Sequence, residues 1–255
     1  MTAENINLEE LFKKHNTYIY NISIRLTHNK QDAEDLTQDV WIKIVNSINN
    51  FRQESNIKTW IYKIIYNTFL DNCQKYQKLE FDNFAKTMNA IEDCDIESHY
   101  EPQLANAIVE EAKIGCLLGM LLCLDYEQRI IFVLSEIFEI KGEVLADILN
   151  ISHDSLRQKN KRAKNDLYNF MNNQCSLVDK KNSCKCNKKA YGLIKAGYIT
   201  DISHLDNTRL KQIFAILKPE SHKLDMELET VYANFIMPLK IQTTFPQIIF
   251  KKCYK

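Results

Sequence analysis

The stretch DAEDLTQDVWIKI (Asp32–Ile44) decides the fold class. Its apolar residues Ala33, Leu36, Val40 and Ile44, continued by Ile48, recur at the three- and four-residue spacing of one helix face. Upstream, Leu8, Leu11, Phe12, Ile19, Ile22 and Leu26 repeat that spacing. Downstream, Ser55 reads as an N-cap, and Ile57, Trp60, Ile61, Ile64, Ile65 and Phe69 form a third apolar stripe. Residues 1–78 therefore read as a compact helical domain. His15 falls on the first stripe and is expected as a core histidine with its hydrogen bond satisfied.

Composition extends the helical reading to the whole chain. Among 255 residues there are 5 Gly and 4 Pro, where average usage gives roughly 18 and 13. Sandwiches and barrels need frequent turn signals, so an all-α architecture is expected. The start MTAENINLEE lacks the basic and apolar segments of a signal peptide. The longest apolar candidate, Ile114–Leu124, falls short of the roughly 20 residues of a membrane span. A cytoplasmic protein without membrane insertion is expected, and its eight unevenly spaced cysteines read as reduced thiols or metal ligands.

The 33 basic and 33 acidic residues cancel, but they are segregated. Between Leu79 and Ala112 nine acids face Lys86 alone, a net of minus eight. With weak periodicity as well, residues 79–105 read as an acidic linker, open to disorder and able to fold back on the basic faces of Lys63 and Arg157. A second helical block, 106–171, contains the outline of a helix-turn-helix. Glu143–Leu149 forms a short helix, Asn150 takes the left-handed turn position, and Ser152 caps a helix whose inner face is Leu156, Ala163, Leu167 and Phe170. Residues 172–255 form an extension, in which Leu205–Phe235 again has helical periodicity.

Three surfaces carry candidate chemistry. Asp32, Asp35 and Asp39, with Gln38 beside them, lie along one helix side; on pattern alone this is a solvated, dipole-complementing start. Tyr62, Lys63, Tyr66 and Asn67 lie off the third stripe and combine stacking rings, a cation and an amide suited to single-stranded DNA. Arg157, Gln158, Lys161 and Arg162 share one helix face that suits a major groove, with Lys159 and Lys164 placed for phosphates.

DAEDLTQDVWIKI together with FRQESNIKTWIYKIIYNTFLD (Phe51–Asp71) resembles conserved region 2 of bacterial sigma factors, best of all the extracytoplasmic-function subgroup of the sigma-70 family. LDYEQRIIFVLSEIFEIKGEVLADILNISHDSLRQKNKRAKNDL (Leu124–Leu167) resembles region 4 of the same subgroup, in the same order. The resemblance implies a non-enzymatic factor that binds core RNA polymerase and promoter DNA to direct transcription initiation, with an anti-sigma factor as a further candidate partner. It implies that Asp35, Gln38 and Asp39 contact the polymerase. It also implies that the loop of Phe51, Arg52, Ser55 and Asn56, with Tyr62, Lys63 and Asn67, binds the minus-ten element, and that the helix of Arg157 and Arg162 binds the minus-thirty-five element. Glu139 and Asn150 depart from the family's usual glycines, and Asn160 interrupts an apolar stripe where an unsatisfied amide costs about 1–3 kcal/mol.

In the extension, Cys175, Cys184 and Cys186 stand among lysines. Their spacing fits no standard zinc finger; nearby ammonium groups are expected to lower the thiol pKa values, leaving zinc, redox reactivity or unrelated surface thiols as readings. Two other functions compete with the sigma-factor reading. One is a stand-alone helix-turn-helix regulator with a sensory amino-terminal domain. The other is a cysteine redox enzyme, disfavoured because no thiols form a CxxC and no acid/base set accompanies them.

Overall fold

The computed structural model describes residues 7–51 and 56–198. Among them the only regular elements are helices, with one isolated backbone bridge between Cys175 and Cys184. Leu205–Phe235 lies outside the described residues. The described residues divide into two compact units: 7–77 with Tyr126–Asn160, and Lys78–Asp125 with 161–198. This partition cuts across the linear succession of domain, linker, domain and extension expected from the sequence.

In the first unit, Asn7 opens α1 (Leu8–Thr27) by accepting from the amides of Glu9 and Glu10. His28, in the left-handed conformation, closes it, and Asn29 caps α2 (Lys30–Ser47). So short a connection makes the two helices pack as a hairpin. Trp41 is fully buried between them, its ring near Phe12 and its indole N–H donating to Asn16 Oδ1 at 2.9 Å. His15 is buried as expected, but its Nε2 has no hydrogen-bond partner among the described residues. Burial, then the charges of Lys14 and Lys58, hold its pKa below the ordinary histidine range.

Helix α3 (Ile57–Asp71) is capped by Asn56, one residue later than the expected Ser55, which lies outside the described residues. The unit is completed by α6 (Tyr126–Phe132), a π-helical turn at Val133–Ile137, and α7 (Gly142–Leu149). Arg129 ties this later segment to the earlier one. Fully buried, it donates to Leu26 O at 2.9 Å and Gln77 O at 3.1 Å, with its guanidinium over the Tyr126 ring. Leu26 O belongs to the last turn of α1, where carbonyls lack helical partners and a cation is favoured.

Glu139 (φ 48°) and Asn150 (φ 55°) both occupy the left-handed region. These are the two positions where the sequence departs from glycine, and the backbone keeps the glycine-like conformation regardless. A β-carbon there costs about 1–2 kcal/mol, less for asparagine. Glu139→Gly is therefore expected to raise stability by about 1 kcal/mol in denaturant unfolding, and Asn150→Gly by less.

In the second unit, the segment expected as an acidic linker is folded. It carries α4 (Phe81–Ala90) and a 3-10 turn at Ile96–Ser98, with Phe84, Met88, Ile91 and Ile96 buried. Phe81 and Phe84 pack on Phe170 of α8 (His153–Gln174), and Gly119 admits the Phe84 ring to α5 (Pro102–Leu121). The acids missed by hydropathy find partners on α9 (Cys186–Lys195). Lys195 pairs with Glu92 at 2.9 Å, and the buried Lys189 pairs with Asp93 at 3.0 Å while donating to Ile91 O. Glu92 and Asp93 are thus engaged by the extension.

Candidate nucleic-acid interface

The helix-turn-helix follows from local chemistry. Asn150 ends α7 in the left-handed conformation, and Ser152 Oγ accepts from the Ser155 amide at 3.1 Å to start α8. Leu156, Ala163 and Leu167 form the buried face of α8; Phe170 is only half-buried. Arg157, Gln158, Lys161 and Arg162 are all exposed, at positions i, i+1, i+4 and i+5 of that one helix. Arg157 makes a loose contact of 3.5 Å with Asp154, both side chains largely exposed, so little energy ties it down.

Two expected phosphate ligands are less available. Lys159 is held by Glu127 at 2.6 Å, and Lys164 is half-buried with a partner of its own. Asn160 resolves the interruption of the inner stripe only in part. Its amide donates to Glu136 Oε1 at 2.6 Å, while its Oδ1 is buried without a hydrogen-bond partner among the described residues.

On α3 the expected single-strand surface separates into two parts. Lys63 and Asn67 are exposed, but Tyr62 and Tyr66 are buried. The Tyr62 hydroxyl meets that of Tyr18, whose ring lies edge-on to both Tyr62 and Phe138, and α7 packs against α3. Burial pushes the Tyr62 phenol well above its ordinary range. Tyr62 is thus a core contact in this conformation, not the exposed stacking platform read from its place off the stripe. Phe51 packs on Trp60 with ring centres 5.2 Å apart, and Asn56 uses its side-chain oxygen to cap α3. Arg52 and Ser55 lie outside the described residues.

On α2, Asp35 is exposed, with Gln38 and Asp39 half-exposed beside it. The acidic stripe borders the buried Tyr76, whose phenol is pushed upward first by burial and then by Asp39, Asp32 and Asp35. Lys43 pairs with Asp71 at 2.7 Å and joins α2 to α3 on the exposed side.

The cysteine cluster reverses an electrostatic expectation. Cys175, Cys184 and Cys186 are partly covered, and burial outweighs the lysines: all three thiols are pushed upward, Cys186 to about 12. Cys116 of α5 joins them on one cavity, a partner that sequence spacing missed because it lies on a different helix. Its thiol is also raised, first by burial and then by Cys186, Cys175 and Cys184. Among the described residues no three His, Cys, Asp or Glu side chains are already placed to hold a metal ion, so Cys175, Cys184 and Cys186 are not a preformed metal centre. No helix among the described residues is long and apolar enough to cross a membrane.

Comparison with known proteins converges on one family. The family model for Sigma-70 region 2 matches residues 11–79. The RNA polymerase sigma factor YlaC of Bacillus subtilis is 28% identical over 63% of this chain and 90% of its own length. The ECF RNA polymerase sigma factor SigE of Mycolicibacterium smegmatis is 26% identical over 64% of this chain and 61% of its own. A solved structure of the sigma factor RpoE with the anti-sigma factor NepR from Bartonella quintana is similar over 64% of this chain and 94% of that one, at 20% identity and a TM-score of 0.43. The region 2 match falls on α1 to α3, and the sigma-factor relatives extend the likeness to well over half the chain.

Proposed function

We propose that this protein is a dissociable specificity subunit that binds core RNA polymerase and directs promoter-specific initiation, working in the cytoplasm where the polymerase acts and carrying out no catalytic step of its own. The observation that carries the reading is the exposed Arg157–Arg162 face on a correctly capped helix-turn-helix, in a chain whose first three helices match region 2. Residues 1–78 would supply the polymerase and minus-ten contacts and residues 106–171 the minus-thirty-five contact, with 79–105 connecting them.

Roles follow the geometry. Asp35, Gln38 and Asp39 form a polar stripe free of apolar burial, suited to a basic helix of the polymerase. Lys63 and Asn67 are accessible to a promoter strand as they stand. Stacking on Tyr62 requires Tyr18 to withdraw from it first. On α8, arginine reads guanine and glutamine reads adenine through paired hydrogen bonds.

The deciding experiment is co-purification with core polymerase, followed by transcription on genomic promoter fragments. Alanine at Asp35, Gln38 and Asp39 together is expected to abolish co-purification while leaving the helical circular dichroism unchanged. Retained binding in that variant would remove the α2 face from the mechanism. A wild-type chain that binds DNA but never the polymerase would point to a stand-alone regulator. Arg157→Ala is expected to relax sequence preference in the upstream element and cost about 1–3 kcal/mol on the preferred site. Equal weakening on all sequences, measured by titration of matched and mismatched duplexes, would reduce Arg157 to a phosphate contact.

A further inference from the structure

Four cysteines far apart in sequence line one cavity of the second unit: Cys116 from α5, Cys175 just after α8, Cys184, and Cys186 at the first turn of α9. The backbone brings them there. Cys175 and Cys184 face each other across the isolated bridge, with the Ser176 amide donating to Cys184 O at 3.2 Å, and Cys186 follows two residues later. The cavity holds about 30 Å³, far below the roughly 300–1,000 Å³ of pockets for organic ligands, and is of the size that seats one small body. Its wall is otherwise mainly apolar and includes Lys113 and Lys189.

We propose that Cys116, Cys175, Cys184 and Cys186 form an induced site for one thiophilic divalent ion of the zinc class. Sulfur is the only soft donor in the cavity, four donors match tetrahedral zinc, and the required bond length is about 2.3 Å. As neutral thiols the four groups have no reason to converge, which accounts for the lack of a preformed centre. Binding exchanges each S–H proton for a metal–sulfur bond, releasing one proton per ligand to solvent with no change of oxidation state. The resulting excess of negative charge is met by Lys113 and Lys189, which also keep their pairings with Glu110 and Asp93. The ion would pin the start of α9 to α5, fixing the helix whose other contacts hold residues 91–93. This inference is independent of promoter recognition.

The test uses the full chain, reduced and freed of metal, titrated with Zn²⁺ and separately with Co²⁺. One ion per chain is expected by native mass spectrometry, with the sulfur-to-cobalt charge-transfer and d–d bands of a tetrahedral thiolate site. Four of the eight thiols should resist alkylation until a chelator is added, and peptide mapping should identify them as these four. Cys116→Ser should lose the four-thiolate bands and Cys73→Ser should keep them. The alkylation map needs no variant, so a Cys116→Ser chain that fails to fold leaves the proposal testable. Failure to retain zinc, a Cys116 as reactive with zinc as without it, or a Cys175–Cys184 disulfide that forms equally in excess zinc would each overturn it.

Discussion

Arg129→Met lowers the stability of the chain by about 2 kcal/mol and brings denaturant unfolding to an earlier midpoint. Methionine keeps most of the volume, so packing against Tyr126 survives and the loss is confined to hydrogen bonds. Leu26 O is then left in the interior without the guanidinium, and a stranded buried acceptor costs about 1–3 kcal/mol, while Gln77 O, on an exposed residue, can turn to water. Lysine retains the charge but presents one compact ammonium instead of a planar fork, so Arg129→Lys should recover only part of the loss. A variant as stable as the parent would mean that these carbonyls find other partners and that Arg129 is not what joins the two segments of the unit.

Gly192→Ala is expected to displace α9 from the acidic stretch. A β-carbon at Gly192 would lie 2.6 Å from both the carbonyl oxygen of Glu92 and Cγ2 of Ile91. One of these is backbone, so a rotamer change cannot relieve the overlap, and overpacking of this kind costs about 1–3 kcal/mol. The bonds that depend on the same approach go with it: Lys189 to Ile91 O, Lys195 to Glu92, and the Cys94 amide to Lys188 O at 2.8 Å. Hydrogen exchange reads the change directly, because the Cys94 amide should lose protection while the Trp60 amide at the start of α3 keeps its own. Unchanged Cys94 protection would show that α9 tolerates the shift.

What could be read from the sequence was what short-range chemistry determines. Asn150 and Ser152 act on neighbours within a turn, so the boundary between α7 and α8 was legible from residue types alone. The stripe of α2 was legible because its opposite face is polar. Helix α3 was harder: isoleucines and tyrosines leave little polar surface, and periodicity could not say which aromatic rings face solvent. Tyr62 and Tyr66 are buried by packing between helices, Tyr62 against Tyr18 of α1, which no local pattern records. Lys189 misled in the same way. In a lysine-rich run it looks solvated, yet the carbonyls of Asn89 and Ile91 and the carboxylate of Asp93 give it a buried seat. Cys116 could be assigned only when α5 and the segment after α8 were seen to share one cavity.

The packing of Tyr18 on Tyr62 also sets a thermodynamic toll on any strand that needs the Tyr62 ring. Let the form with Tyr62 uncovered make up a fraction f of the free chain; the apparent dissociation constant then equals the intrinsic one divided by f. Each tenfold excess of the covered form subtracts about 1.4 kcal/mol from the apparent affinity, with no change in any contact to the strand. Lys63 and Asn67, already exposed, are exempt from that factor. The same helix therefore presents two classes of contact, one available at encounter and one available in proportion to a population, and a substitution at Tyr18 can tune the second without touching the first.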